Sequence, residues 1–210
     1  MATYKTRGPD GTEIHVGEAD LARFAMGMGL DKIAPGRYSK LFTFKLLLYT
    51  QFQGVEADFI IEEVKALEGL PNRAVNTKPA TQFTRPLLKG LWHQHFFDAR
   101  FVAQNLLTHM QSKEFKQELQ RIFDPTKSKV VTEDMVTALA HAASVGGLEE
   151  RENQGKLTGE WIVFAKHGSQ NYYLTLDLHT AGDQKIHDEI RSMAYVEFPF
   201  LATPWLVDSI

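Results

Sequence analysis

Between Lys156 and Leu201 the sequence gathers several groups suited to proton transfer. Trp161-Ile162-Val163-Phe164-Ala165-Lys166-His167 and Asn171-Tyr172-Tyr173-Leu174-Thr175-Leu176-Asp177-Leu178-His179 alternate with period two around Gly168-Ser169-Gln170, the pattern of a β-hairpin. A turn symmetric about Ser169-Gln170 pairs His167 with Tyr172, Lys166 with Tyr173, Phe164 with Thr175, Ile162 with Asp177 and Glu160 with His179. Tyr172, Leu174, Leu176 and Leu178 then form a core face. Glu160, Lys166, Tyr173, Thr175, Asp177 and His179 form an open one. A carboxylate beside an imidazole, with an ammonium and a phenol on the same face, suits acid–base work on a phosphodiester. The expected roles are Glu160 as base, His179 as acid and Lys166 as stabiliser of developing negative charge, with Tyr173 and His167 as further catalytic candidates. The same residues also fit a merely solvated face of an antiparallel sheet.

A second group lies in the middle of the chain. Arg73, Lys78, Arg85 and Lys89 lead into Trp92-His93-Gln94-His95-Phe96-Phe97-Asp98-Ala99-Arg100. Arg73, Arg85, Lys89, His93, His95 and Arg100 are therefore candidate substrate-binding residues. Lys/Arg against Asp/Glu number 8 and 10 over residues 1–72, 10 and 4 over 73–130, and 5 and 12 over 131–210. A basic middle between acidic ends suits a polyanion partner, or attraction between the segments within the fold. Read as helical, His93 and His95 project nearly opposite ways. No histidine–carboxylate spacing suits a metal, and neither a dinucleotide fingerprint nor a phosphate loop or nucleophile elbow is present, so no metal and no cofactor are expected.

These groups need elements to position them. Tyr4–Thr6 and Thr12–Val16 flank the turn residues Gly8-Pro9-Asp10-Gly11 as a hairpin. A helix from Glu18 to Met28 stops at Gly29, and Asp31–Arg37 reads as a loop. Ser39 is placed to cap a helix from Lys40 to Gln53, although Phe42, Phe44, Leu46 and Leu48 alternate like a strand. Glu56–Glu68 reads as an amphipathic helix with Phe59, Ile60, Val64 and Leu67 inward and Glu62–Lys65 outward. Residues 70–90 are broken by Pro71, Pro79 and Pro86. The periodicity of Leu91–Met110 predicts the central buried helix. Helices over Glu114–Phe123 and, capped by Thr132, from Glu133 to Val145 follow, then one from Asp183 to Met193 and an edge strand over Val196–Leu201. The fold expected is α+β, with a helical N-terminal two-thirds packed on a small antiparallel sheet near the C-terminus. One domain over 1–210 is expected, with subdomain breaks in loop 70–90 and around 146–158.

The chain has no cysteine, which excludes disulfides, thiolate nucleophiles and cysteine-ligated zinc. No apolar segment follows Lys5 and Arg7 as in a secretory signal, and none reaches the roughly 20 residues that span a bilayer. A cytoplasmic protein with no membrane partner is expected.

Helices followed by a late hairpin with His, Lys and Glu on one face resemble the bacterial and phage toxin-type ribonucleases of the barnase–EndoU–colicin–RelE class. The resemblance covers Lys156 to Leu201 and rests on the two strand segments quoted above. It implies metal-independent cleavage of RNA. The acidic last third is a poor surface for RNA, so the basic middle would have to supply one. The alternative is a non-enzymatic adaptor or inhibitor whose acidic C-terminal surface engages a basic protein partner.

Overall fold

Short polar residues set the starts of three helices. Ser39 Oγ accepts the amide of Phe42 at 2.9 Å, Ser112 Oγ that of Phe115 at 3.0 Å, and Thr132 Oγ1 that of Met135 at 3.3 Å, each satisfying a donor the helix cannot use. The structure is a computed structural model that describes residues 3–7, 11–73, 77, 79–96, 110–124, 126, 130–143, 160–178 and 181–202. Its elements are β1 (Thr3–Arg7), β2 (Glu13–Gly17), α1 (Glu18–Gly27), α2 (Leu30–Ile33), α3 (Lys40–Phe52), α4 (Ala57–Leu67), β3 (Thr81–Gln82), β4 (Trp92–Phe96), α5 (Lys113–Ile122), α6 (Glu133–His141), β5 (Glu160–His167), β6 (Gln170–Leu178) and α7 (Asp183–Glu189). After α7 the chain continues through a π-helical turn, Ile190–Ala194, and short helical turns to Ala202.

The fold is α+β. β1 and β2 form one antiparallel pair, and β3-β4-β5-β6 form a four-stranded antiparallel sheet. Two of its strands come from the middle of the chain, so the sheet is not confined to the C-terminal region. The expected central helix over Leu91–Met110 is corrected at its start. Trp92–Phe96 is a strand, in which Trp92 and Phe96 join one core with Phe42, Leu46, Ile60, Val64, Ile162, Phe164, Tyr173 and Leu176. Residues 97–109 lie outside the described residues. The opposite face of the sheet, through Trp161, Val163, Ala165 and Leu174, packs on Ile186, Ile190, Ala194, Phe198 and Leu201. Both faces are thus covered, where the sequence reading leaves one open.

Three smaller corrections follow from tertiary context. Asp31–Ile33 belongs to the short α2 rather than a loop. Val196–Leu201 forms helical turns rather than a strand, with Leu201 buried. Phe59 is exposed whereas Glu63, expected outside, is buried. Among the described residues no helix is long and apolar enough to cross a membrane.

The chain divides into two compact units, one of Met1–Phe97 and Glu160–Ile210 and one of Asp98–Gly159. Loop 70–90 lies wholly in the first. In the second, α5 and α6 are short amphipathic helices, and Phe115 is buried. Phe96 and Glu160 are register partners across β4 and β5, so the first unit's chain breaks between Cα atoms about 5 Å apart. A two-residue turn spans such a gap. Replacing 97–159 by an Asn-Gly turn is therefore expected to leave a folded first unit with a single cooperative urea transition. Loss of that transition, read by circular dichroism, would show that the first unit depends on the second.

Candidate functional site

The hairpin turn is Gly168-Ser169, with φ of 55° and 62°, both left-handed as a type I′ turn requires. His167 consequently pairs with Gln170, Lys166 with Asn171, Ala165 with Tyr172 and Phe164 with Tyr173. Leu174 is then an extra residue, and Val163 pairs with Thr175, Trp161 with Asp177 and Glu160 with Leu178. This bulge resets the alternation, which is why Tyr173 and Leu176 enter the same core although three apart. The expected pairing of Glu160 with His179 and of Lys166 with Tyr173 does not form.

The expected open catalytic face is likewise corrected. Glu160, Tyr173 and Thr175 are fully buried and Asp177 nearly so, because helices cover both sides of the sheet. Lys166 and His167 are exposed beside the turn. Lys166 Nζ lies 3.8 Å from the Trp92 ring centroid, and the His167 ring stacks on Phe200 at 4.2 Å and 9°. His179, Lys78 and Arg100 lie outside the described residues.

The buried polar groups of β6 act as fastenings. Tyr173 donates its hydroxyl to Glu68 Oε1 at 2.7 Å, and Arg37 grips both Glu68 oxygens at 2.9 and 2.5 Å. Burial alone would push the Glu68 carboxyl up, but the bonds from Arg37 and Tyr173 outweigh it and hold the group below its ordinary value. Burial and the Glu68 charge push the Tyr173 phenol up. Asp177 accepts from Lys45 at 2.7 Å and from Lys185 at 3.2 Å. Here too burial opposes ionisation and the two lysines prevail, leaving its carboxyl below the ordinary value.

Glu63 on α4 is the opposite case. It accepts from Thr77 Oγ1 at 2.7 and 2.9 Å and from Gln94 Nε2 at 3.1 Å. Burial pushes its carboxyl up, and these neutral donors only partly offset that. The network ties the 70–80 loop to α4 and β4, and polar spacing along α4 gave no sign of it.

Reading residues 92–96 as a strand brings His93 and His95 to the same side. Their rings are 5.4 Å apart and nearly perpendicular, and both lean on Trp161, at 4.9 and 6.2 Å. Phe83 packs 4.5 Å from His93, whose Nε2 is 3.0 Å from the exposed Thr81 hydroxyl. Both histidines are partly exposed. Arg85 and Lys89 are exposed in the connection between β3 and β4, the pair of strands that carries Thr81 and His93. Arg73 stands apart near α4, its amide on Glu62 and its guanidinium 3.9 Å from Asp58. Thr81 and Trp161 are members of this cluster that sequence reasoning missed. Their proximity to His93 depends on the pairing of three strands. Among the described residues no three His, Cys, Asp or Glu side chains are arranged to hold a metal ion.

The two carboxylates predict opposite pH behaviour. Glu68, with its pKa lowered on folding, contributes stability above the unfolded value of about 4.3 that is lost as pH falls through the folded value. Glu68→Gln is expected to cost about 3 kcal/mol near neutral pH, by stranding Arg37, and much less in acid. Glu63, with its pKa raised, contributes stability in acid that is lost as pH rises through the folded value. Glu63→Gln is therefore expected to stabilise the protein at pH 7 and not at pH 4. Urea titrations at both pH values check the two signs, and a stabilised Glu68→Gln at pH 7 would overturn the assignment.

No protein-family model matches the chain, and no match was found among curated proteins or solved structures.

Proposed function

We propose that this chain cleaves RNA without a metal ion, using His93 as base and His95 as acid. The reading is carried by one observation: two partly exposed histidines side by side on one strand, His93 already facing a hydroxyl at 3.0 Å. That distance is what a base needs toward the 2′-hydroxyl of a ribose, which reaches Nε2 once the Thr81 side chain turns aside. His93 Nε2 accepts the 2′-hydroxyl proton as that oxygen attacks phosphorus. The bond from phosphorus to the 5′-oxygen breaks, and His95, protonated, supplies the proton the leaving oxygen needs. The products are a 2′,3′-cyclic phosphate and a 5′-hydroxyl, with no oxidant or further reactant. Arg85 and Lys89, exposed on the same strand connection, supply positive charge for the backbone phosphates. Trp161 packs on both imidazoles and Phe83 on that of His93, so that their orientation need not be organised during the reaction.

Cleavage of a labelled single-stranded RNA in the presence of EDTA tests this. Wild-type protein is expected to cut, with a bell-shaped pH profile, since one imidazole must be neutral and the other charged. His93→Ala and His95→Ala are each expected to lower the rate by roughly 10²–10⁴-fold. A 2′-deoxy nucleotide at the cut position is expected to stop the reaction. Absence of cleavage on any RNA, or a full rate in His95→Ala, would overturn the proposal, the first outcome in favour of a non-enzymatic binder.

A further inference from the structure

At the Gly168-Ser169 turn the protein displays an aromatic stack that the proposed chemistry does not use. Phe200 lies in the turn Pro199–Ala202, which is pinned by buried Phe198 and Leu201 and by bonds from the Phe198 amide to Ala194 and from the Leu201 amide to Phe198. The exposed imidazole of His167 lies flat on this ring, and Tyr172 meets the two edge-on at 6.2 and 4.8 Å. Phe198 backs Tyr172 at 5.2 Å. The exposed stack is held in place by rings behind it, so little ordering remains to be done on binding. Lys166, the neighbouring residue, points to the other face of β5, where its ammonium lies over Trp92.

We infer that His167 and Phe200, edged by Tyr172, form a stacking subsite for one base of single-stranded RNA. This inference rests on the cleavage reading for its choice of ligand. An exposed flat ring is a platform on which proteins hold unpaired bases without reading their sequence, since every base offers a π-face. A base inside a duplex is already stacked and cannot reach it. Strand alternation places His167 on the same side of β5 as Val163, the register partner of His93. Four residues of strand separate them, about 13 Å, a span that a short extended oligonucleotide covers. The subsite would thus hold a base beyond the cleaved bond and select single-stranded substrate.

An uncleavable probe keeps this separate from catalysis. A fluorescein-labelled 2′-O-methyl RNA oligonucleotide is titrated against the full chain by anisotropy. His167→Ala and Phe200→Leu are both expected to weaken binding roughly tenfold or more, in the range of one lost base stack. A thermal melt reports the fold, and exposed His167 provides a variant that does not disturb the core. An abasic nucleotide at the bound position is expected to remove the difference between wild type and variants. A duplex of the same sequence is expected to bind all of them alike. Wild-type affinity in His167→Ala, or an equal loss with the duplex, would overturn the subsite. Cleavage that depends on His93 without any effect at His167 would sink the subsite and leave the reaction standing. Stacking-dependent binding without cleavage would do the reverse.

Discussion

Tyr173 is the point at which separate stretches of the first unit are fastened. Its amide donates to the Arg37 carbonyl, its own carbonyl accepts from Ser39, and its hydroxyl donates to Glu68 at the end of α4. Its ring lies between Phe42 of α3 and Phe164 of β5. Ser39, besides capping α3, donates its hydroxyl to the Leu174 carbonyl. The outer edge of β6 is thereby closed at its centre by residues 37–39, where an open edge would invite pairing with another chain. A buried phenol needs a partner, and a buried carboxylate that stays ionised needs a cation. Arg37, Glu68 and Tyr173 meet both needs at once.

This fastening determines where function can reside. With helices on both faces, the buried polar residues Tyr173 and Asp177 of β6 cannot serve a substrate. They are committed to ion pairs and hydrogen bonds whose loss would leave charges stranded in an apolar interior. Side chains of the sheet that combine ring chemistry with access to solvent lie at its margins, as His93 and His95 beside β3 and as His167 at the hairpin turn. Residues that suggested catalysis by type, Glu160 and Tyr173 above all, are withdrawn by burial. Residues that suggested only binding, His93 and His95, are brought together.

What could be read in advance was local. The caps at Ser39 and Thr132, the first hairpin and the extents of α1, α3 and α4 depend on residues within a turn or two of one another. The cap at Ser39 decides between helix and strand for 40–52, because it satisfies amides that a strand would have paired elsewhere. What could not be read depends on distant partners. Trp92, Gln94 and Phe96 alternate as a strand does, but the apolar residues beyond them match a helical period, and the strand that pairs with 92–96 follows the whole second unit. The hairpin register failed for a smaller reason. A two-residue left-handed turn with a serine at a position that favours glycine, followed by a bulge at Leu174, moves every pairing. Glu63 was misplaced because Thr77 and Gln94, which make its burial tolerable, lie outside its own helix.

The same long-range pairing sets the geometry of the histidines. On a helix, residues two apart diverge by about 200°, so His93 and His95 could never share a substrate. On a strand they stand side by side, and their rings meet at 5.4 Å. The five β4–β5 register pairs, Trp92 with Phe164 through Phe96 with Glu160, hold the segment extended and set Trp161 behind both imidazoles. The second unit enters the chain directly after those pairs, at residue 98, and leaves it directly before them, at 159. The histidine pair therefore comes into being only once β5, made after the second unit, has found β4. The local sequence around residues 92–96 carries the two imidazoles without the means to arrange them, which the pairing with β5 supplies.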